Sequence, residues 1–318
     1  MASETPRRRY FPGNGIARVL SFTVLAVLVI AALAYGALRW ADSDSGRAFV
    51  ARQIPGIKTE IGLTVHVDRI DGSIFGVAVL HGLTLSDPKG VFAEIPRLEL
   101  DWRPLDLVTK TFTAKRITTP EMRMLRLPQL LPSSSKTFFP DFEFAIGRFR
   151  IDRLVLEAPV SGKRRVLAVG GNATIHKGRA LVDLTVLTLG ETAKGSGDTV
   201  RLHLDTNPDA DKFDVDALIA APAGGAIVTL LKLPAPLDAR LSGDGSWRNW
   251  VGRLDASLGG KPIAAVAITG TNGLFTARGT ASPGAILIGA PARLLAPQVA
   301  IDASAQVNNG KAAITALL

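Results

Sequence analysis

The chain has 318 residues, contains no cysteine and carries a formal net charge of +9 at pH 7. The absence of cysteine excludes disulfide bonds, thiol catalysis and thiolate metal sites, so hydrogen bonds and apolar burial must stabilise the fold. Nucleic acid is not an expected partner, because the basic residues alternate with apolar ones instead of clustering with aromatic residues. Between residues 97 and 165, fourteen Lys or Arg stand against eight Asp or Glu. This local excess fits either a solvated sheet face or contact with anionic lipid head groups.

The N-terminal region contains a predicted membrane anchor. Residues 19–38 form an uncharged apolar run of twenty residues, and a helix of this length spans a hydrocarbon core of ~30 Å. Four arginines precede the run and place the N-terminus on the cytoplasmic side: Arg7, Arg8, Arg9 and Arg18. The pattern predicts a cytoplasmic basic tail at 1–18 and a transmembrane signal anchor at 19–38. A cleaved signal peptide is the alternative, since residues 32–34 read Ala-Leu-Ala, but the apolar run is long for a signal peptide.

The next predicted element is a short helical stalk over residues 42–56. Residues 43–45, which read Ser-Asp-Ser, can cap a helix at 46–53, and Pro55 ends it. We expect this stalk to hold the exported part of the chain away from the bilayer.

Beyond residue 57, apolar and polar residues alternate with a period of two, which is typical of strands with one apolar and one wet face. The clearest case is 98–103, which reads Leu-Glu-Leu-Asp-Trp-Arg. The same pattern predicts strands at 63–67, 77–85, 142–144, 149–151, 200–204, 213–217, 237–241 and 299–303. Turns are predicted at 87–90, 170–171, 177–178, 259–260, 272–273 and 308–310. Spacings near ten residues indicate an antiparallel meander.

Two segments interrupt the alternation. Residues 128–140 contain three prolines and three serines, which predicts a surface loop between an N-terminal β module at 57–127 and continuing β repeats at 141–318. Residues 226–233 are apolar enough for a short helix over the sheet, and a buried strand fits equally well. No polar closing edge follows the last predicted strands, so we expect the chain to be the N-terminal part of a longer protein.

The sequence predicts no catalytic, metal or cofactor site. Its four histidines stand singly on predicted strands: His66, His81, His176 and His203. Neither a zinc HExxH motif nor a GxSxG nucleophile motif is present. Residues 205–211 carry oxygen ligands at alternate positions, but Ala210 stands where a calcium loop requires glycine, so a strand-connecting turn is predicted. We therefore expect a protein that is not an enzyme; an anchored hydrolase would need a catalytic cluster that the sequence does not supply.

Residues 70–127 resemble the TamB family, the inner-membrane subunits of a translocation and assembly module. In that family an N-terminal anchor is followed by a strand, a glycine turn, a Gly-Leu strand and a segment containing Leu-Asp-Trp and Pro-Leu. Ten residues carry the resemblance here: Asp71, Gly72, Gly82, Leu83, Leu98, Leu100, Asp101, Trp102, Pro104 and Leu105. The remaining chain agrees with the family only in its β-rich, glycine-turned character.

The resemblance implies a mainly β protein in which a transmembrane helix precedes an elongated antiparallel β-sheet curled into an open apolar groove. It further implies a relationship to AsmA-like and bridge-like lipid transfer proteins, an inner-membrane location, and a periplasmic bulk that supports phospholipid transport toward the outer membrane and outer-membrane protein assembly. An outer-membrane barrel partner of the TamA type is expected for full-length members. Family members are usually much longer, and the C-terminal domain that meets the barrel partner is missing here.

Seven residues of the alternating segments are predicted to line the groove: Leu98, Leu100, Trp102, Phe142, Phe144, Phe149 and Ile151. In a closed sandwich the same residues would form the core, because strand alternation is the same in both folds. A different function fits the same pattern, namely a periplasmic scaffold that binds the strands of nascent outer-membrane proteins without conducting lipid.

Overall fold

The computed structural model describes residues 39–40, 42–53, 62–131, 143–176, 179–190, 197–285, 298–308 and 311–317. The predicted anchor, its four arginines and Phe142 lie outside this range. Within the described residues, no helix is long and apolar enough to cross a membrane. The chain is mainly β, and its strands form one sheet that does not close on itself. The predicted mainly β class and open sheet are therefore confirmed.

The described elements are sixteen strands, three helices and two short 3-10 turns. The helices are α1 (Asp44–Gln53), α2 (Ala158–Ser161) and α3 (Ala226–Leu230), and the 3-10 turns are Pro104–Thr109 and Pro283–Ala285. The first eight strands are β1 (Thr64–His66), β2 (Arg69–Gly72), β3 (Val77–Asp87), β4 (Gly90–Arg103), β5 (Thr111–Met124), β6 (Glu143–Leu156), β7 (Arg165–His176) and β8 (Arg179–Leu189). The second eight are β9 (Thr199–Asn207), β10 (Lys212–Ala221), β11 (Leu237–Gly245), β12 (Trp250–Leu258), β13 (Lys261–Thr271), β14 (Leu274–Ala281), β15 (Val299–Asn308) and β16 (Lys311–Leu317).

From β3 onward the strands are neighbours in the sheet in the same order as in the chain, while β1 and β2 both pair with β3. Every neighbouring pair is antiparallel except β5 and β6, which run parallel. The prediction of a fully antiparallel meander is wrong at this pair. Eighteen residues separate Met124 from Glu143, and at ~3.3 Å per residue they can span the ~46 Å length of a 14-residue strand. Parallel neighbours require such a crossover connection. The loop predicted at 128–140 falls in this part of the sequence, and its residues 132–140 lie outside the described range.

The turn predicted at Gly170 and Gly171 is also wrong, because both glycines lie inside β7. A Cβ atom on Gly171 would lie 1.9 Å from the carbonyl oxygen of Asp183 and 3.0 Å from the ring of Phe149. The glycine therefore allows close approach of a neighbouring strand and an aromatic ring, a role that sequence does not distinguish from chain reversal. The turns predicted at 87–90, 259–260 and 272–273 connect successive strands as expected, and residues 226–230 form α3.

Helix α1 lies against the first strands of the sheet. The Ser43 hydroxyl accepts a hydrogen bond from the Gly46 N–H, as expected of an N-cap. Ala51 is buried in an N-terminal cluster whose other members come from β2, β3, β4 and the β1–β2 connection: Val67, Ile70, Ala78, Leu83 and Ile95. The helix predicted at residues 46–53 is thus present, and it covers one end of the sheet.

Candidate functional site

One face of the sheet is apolar along almost its whole length. Cross-strand partners share a face, so the register of each strand pair identifies the residues that form one continuous row. Beginning at β3 and ending at β15, such a row runs through Ala78, Leu100, Ile117, Phe149, Gly171, Leu184, Leu202, Ala217, Leu241, Leu254, Val266, Gly279 and Ile301. No member of this row is polar. We call the surface that it defines the apolar face.

Two further rows flank the first on the same face. One runs from β4 to β15 through Trp102, Ala114, Ile146, Ala173, Val182, Leu204, Val215, Gly243, Gly252, Ile268, Ala277 and Ala303. The other runs from β5 to β15 through Thr119, Ile151, Val169, Val186, Val200, Ile219, Ala239, Ala256, Ala264, Ala281 and Val299. Thr119 is the one polar member of these rows, and its hydroxyl donates to the backbone carbonyl oxygen of Arg97 at 2.8 Å.

The centre of the apolar face remains partly exposed. Its five central residues, on β8 to β12, each keep part of their surface open to solvent: Leu184, Leu202, Ala217, Leu241 and Leu254. The core of a closed sandwich would bury such residues almost completely. The described part of the chain thus leaves a strip of apolar surface without a complete protein cover.

Small covers bury the apolar face at other places. The N-terminal cluster under α1 is the first, and the second lies where α2 and α3 meet over the strand ends, burying Leu156, Val160, Leu167 and Ala226. Asp198, itself 2 % exposed, holds α3 by accepting hydrogen bonds from the backbone N–H groups of Ala226 (2.6 Å) and Ile227 (3.2 Å). These elements cover the margin of the face and leave its centre open.

An aromatic cluster forms the third cover, at the opposite strand ends. Its members lie with ring centroids 5.1–5.8 Å apart: Phe213, Trp247, Trp250 and Phe275. The Trp250 ring lies over Gly243 and Gly252, where an added Cβ atom would come within 2.2 Å of an indole carbon. Trp247 comes from the β11–β12 turn, and its indole N–H donates to the Thr206 hydroxyl of β9 at 3.0 Å. The turn is thereby folded over the apolar face.

The opposite face carries charged side chains in cross-strand and same-strand ion pairs. Representative pairs join Arg116 to Glu99 at 2.9 Å and Arg240 to Asp216 at 3.2 Å, with the side chains substantially exposed. The Arg253 guanidinium lowers the pKa of the neighbouring Asp255 carboxyl by hydrogen bonding to it. This charged face is exposed to solvent. A single layer of sheet therefore has one apolar surface and one charged, hydrated surface.

The four histidines belong to the charged side of the molecule and do not form a metal site. Each pairs with one carboxylate: His66 with Asp68 (3.1 Å), His81 with Asp71 (3.0 Å), His176 with Glu143 (2.5 Å) and His203 with Asp183 (2.6 Å). The hydrogen bond from His203 lowers the pKa of Asp183. Among the described residues, no three His, Asp or Glu side chains are grouped as metal ligands. Residues 208–211 connect β9 to β10 as a turn.

The structure brings together the predicted lining residues that it describes. Leu98, Leu100 and Trp102 lie on β4, while Phe144, Phe149 and Ile151 lie on β6, and their strand partners put them on the apolar face. Leu98 also packs against the N-terminal cluster. Phe112 of β5 connects the two groups, since its ring centroid is 6.0 Å from that of Trp102 and 6.5 Å from that of Phe144.

Several family-motif residues have structural roles in or next to strands β2, β3 and β4. Gly72 and Gly82 have φ angles of +78° and +62°, and a Cβ on Gly82 would overlap the Asp68 carboxylate. Leu83 is buried in the N-terminal cluster, whereas Pro104 opens a 3-10 turn in which Leu105 is exposed. Asp71 accepts a hydrogen bond from Arg69, and Asp101 stands opposite Arg116 in the register of β4 and β5.

The sequence-based lining prediction misses the residues from β8 onward, including Leu184, Leu202 and Leu241. The period-two pattern of residues 200–204 and 237–241 already contained the necessary indication, since it predicts which side chains share a face. What it lacked was the strand register that joins these faces into one surface.

Comparison with known proteins adds no assignment. No family model matches the sequence, and neither a curated protein nor a solved structure matches it.

Proposed function

We propose that this chain is a non-enzymatic, inner-membrane-anchored protein of the TamB type whose apolar face covers the acyl chains of phospholipids on their way toward the outer membrane. Its N-terminus lies in the cytoplasm and its sheet in the periplasm, where full-length members of the family are expected to work with an outer-membrane barrel of the TamA type. The observation that carries the proposal is the unbroken apolar row from Ala78 to Ile301, on a face whose centre is partly exposed.

The physical need for such a face follows from the cost of wetting a lipid tail. Transfer of one methylene to water costs ~0.8 kcal/mol, so a chain of ~16 carbons costs on the order of 13 kcal/mol. An apolar surface that continues from strand to strand keeps the tail covered at every step. Twelve strand spacings of ~4.8 Å make the row about 58 Å long, several times the width of a lipid.

The charged face supports the same proposal. A sheet exposed to lipid on one side and to water on the other needs one apolar and one polar surface. The contrast is sharp within single strands, as in β9, where Arg201 and Leu202 point to opposite faces. Curling of the sheet around a tail would leave the head group and the charged face in water.

The direct test uses this neighbouring pair. A photo-crosslinking phenylalanine derivative is introduced in the full chain at Leu202 and, separately, at Arg201, and the cells are irradiated. We expect phospholipid adducts, detected by mass spectrometry, from position 202 and background levels from position 201. Equal phospholipid labelling at both positions would show that the contact is not specific to the apolar face and would overturn the proposal.

A strand-binding scaffold is the second candidate function. It is favoured by the open sheet, because β1 and β2 pair only with β3 among the described strands and so keep backbone groups for an added strand. Under this alternative, position 202 would yield no lipid, and the same crosslinker at Val65 of β1 would yield adducts with nascent outer-membrane proteins.

A further inference from the structure

The 3-10 turn after β4 presents apolar side chains to solvent. Pro104–Thr109 contains no buried residue. Three of its side chains are exposed apolar ones: Leu105 (64 %), Leu107 (38 %) and Val108 (85 %). The turn is nevertheless fixed, because Lys110 closes it in the left-handed conformation (φ 59°) and donates its backbone N–H to the Leu107 carbonyl oxygen at 3.0 Å. A fixed turn that exposes leucine and valine is typical of a surface that contacts an apolar partner.

Basic residues surround this turn. Arg103, Lys110 and Lys115 are exposed, and none of them forms an ion pair with a described residue. An open pocket of about 560 Å³ is lined by Arg103 and Lys115 and also by Asp101. Asp106 is the acidic residue inside the turn itself. The local excess of positive charge beside exposed apolar side chains matches an anionic bilayer surface.

A chain of hydrogen bonds places the turn next to the end of the predicted anchor. The Asp42 carboxylate, four residues after the apolar run, accepts the backbone N–H of Ile74 at 2.7 Å. Ile74 belongs to the β2–β3 turn, whose Gly76 carbonyl oxygen accepts the backbone N–H of Trp102 at 3.2 Å. Pro104 follows two residues later. The exposed turn and the point where the chain leaves the anchor therefore lie at the same end of the molecule.

An aromatic pair marks the same end. Trp40, two residues after the predicted anchor, is 53 % exposed, and Phe49 of α1 is 45 % exposed, with ring centroids 5.8 Å apart. Tryptophan is enriched at the boundary between lipid and water, where its ring contacts both.

We infer that the Pro104–Thr109 turn is a bilayer-docking element. Leu105 and Val108 insert into the leaflet from which the anchor emerges, and Arg103, Lys110 and Lys115 hold anionic phosphate head groups. The inference rests on the anchoring part of the proposed function. Docking brings the first strands of the apolar face to the surface of the bilayer.

The absence of cysteine allows a clean test in the full chain. Leu105→Cys and the control Val251→Cys, whose native side chains are 64 % and 62 % exposed, are labelled separately with an environment-sensitive fluorophore. Each is reconstituted into vesicles of phosphatidylcholine and phosphatidylglycerol that contain lipids with a nitroxide on the acyl chain. We expect emission from position 105 to shift to shorter wavelength and to be largely quenched. Emission from position 251, on the charged face of β12, stays unquenched.

A third label, Leu28→Cys in the predicted anchor, separates the possible failures. Quenching at 28 and not at 105 would overturn docking and leave the anchor standing. No quenching at either position would overturn both. Because the readout does not depend on lipid in the groove, a Leu202→Asp background that abolishes lipid crosslinking from a neighbouring apolar-face position should leave quenching at 105 unchanged.

The role of the cations is tested in the same vesicles. We expect the double variant Arg103→Gln, Lys115→Gln to lose most of the additional quenching at position 105 that phosphatidylglycerol provides over phosphatidylcholine alone. Arg201→Gln, which removes an exposed arginine on β9, is the control and should keep it. Equal loss in both would assign the effect to net charge and overturn the head-group contact.

Discussion

The apolar face is covered at its N-terminal end and uncovered at its centre. Under α1, residues such as Leu83 are buried at 7 % exposure, whereas Leu202 at the centre lies in the same kind of strand and remains partly exposed. Both residues occupy apolar positions of an alternating strand, so the pattern of side chains is the same. The difference is whether the chain supplies its own second layer. The alternation therefore specifies a face but not its partner, which is protein at the N-terminal end and, in our proposal, lipid at the centre.

We expect the largest difference in stability when a carboxylate is placed at position 83 or at position 202. Leu83→Asp buries a charge without a partner and should lower the free energy of unfolding by about 4 kcal/mol or more, preventing folding of the first strands. Leu202→Asp should cost about 1 kcal/mol, because its carboxylate can remain hydrated. Urea unfolding of the full chain in detergent, followed by tryptophan fluorescence, measures both. Similar losses at the two positions would mean that the central face is a closed core.

The second prediction concerns the aromatic cluster, where a glycine under a tryptophan ring is compared with a glycine that has free space. Gly252→Ala places a methyl group within 2.2 Å of the Trp250 indole, and the displacement of a 97 %-buried ring should cost about 2 kcal/mol. Gly170→Ala is the matched control, because it also lies in mid-strand but its nearest neighbour is 3.7 Å away. We expect it to change stability by less than about 0.5 kcal/mol. Unfolding monitored by tryptophan emission reports both the stability and the indole environment, and an unchanged Trp250 environment in Gly252→Ala would contradict the cluster geometry.

Much of the fold could be predicted from local patterns, and the exceptions are nonlocal. The alternation in 200–204 and 237–241 indicates strands and even the face of Leu202, because the side-chain period of a strand is fixed by backbone geometry. The parallel pairing of β5 with β6 could not be predicted, since it depends on how a long connection crosses the sheet. Position 171 shows the same limit, because a glycine that admits the Phe149 ring has the same sequence appearance as one that reverses the chain.

For the apolar face too, the local features could be predicted from the sequence and the nonlocal ones could not. The sequence predicts that Leu100, Phe144 and Ile151 share an apolar surface, and the strand register adds the continuity that makes the surface long. It does not predict that Trp247 folds back from a turn to reach Thr206 across two strands. Nor does it predict that the Trp250 ring lies over glycines 243 and 252, which are on separate strands and have no periodic relation in the chain.

The last prediction compares an ion pair near the N-terminal end of the sheet with one in its uncovered centre, and we expect its effect to be smallest at low pH. At the β3–β4 turn the Asp87 side chain is fully buried, and it accepts two hydrogen bonds from Arg126 (2.6 and 2.7 Å) and one from the backbone N–H of Gln129 (2.6 Å). In the uncovered region Asp216 pairs with Arg240 while it is 49 % exposed. Asp87→Asn should therefore destabilise the protein clearly at neutral pH, whereas Asp216→Asn should change the free energy of unfolding by less than about 0.5 kcal/mol.

The pH dependence of stability tests whether the charge of Asp87 stabilises the folded state. Hydrogen bonding to Arg126 holds the pKa of Asp87 well below its ordinary value, so the ionised carboxylate favours the folded state. Its contribution is complete above the unfolded pKa of about 3.9 and is lost as the pH falls through the lower folded pKa. The stability difference between the wild type and Asp87→Asn should accordingly be constant from neutral pH to about pH 5 and shrink below about pH 4. Urea unfolding over this range measures it, and a difference that does not change with pH would mean that Asp87 acts through its shape and not through its charge.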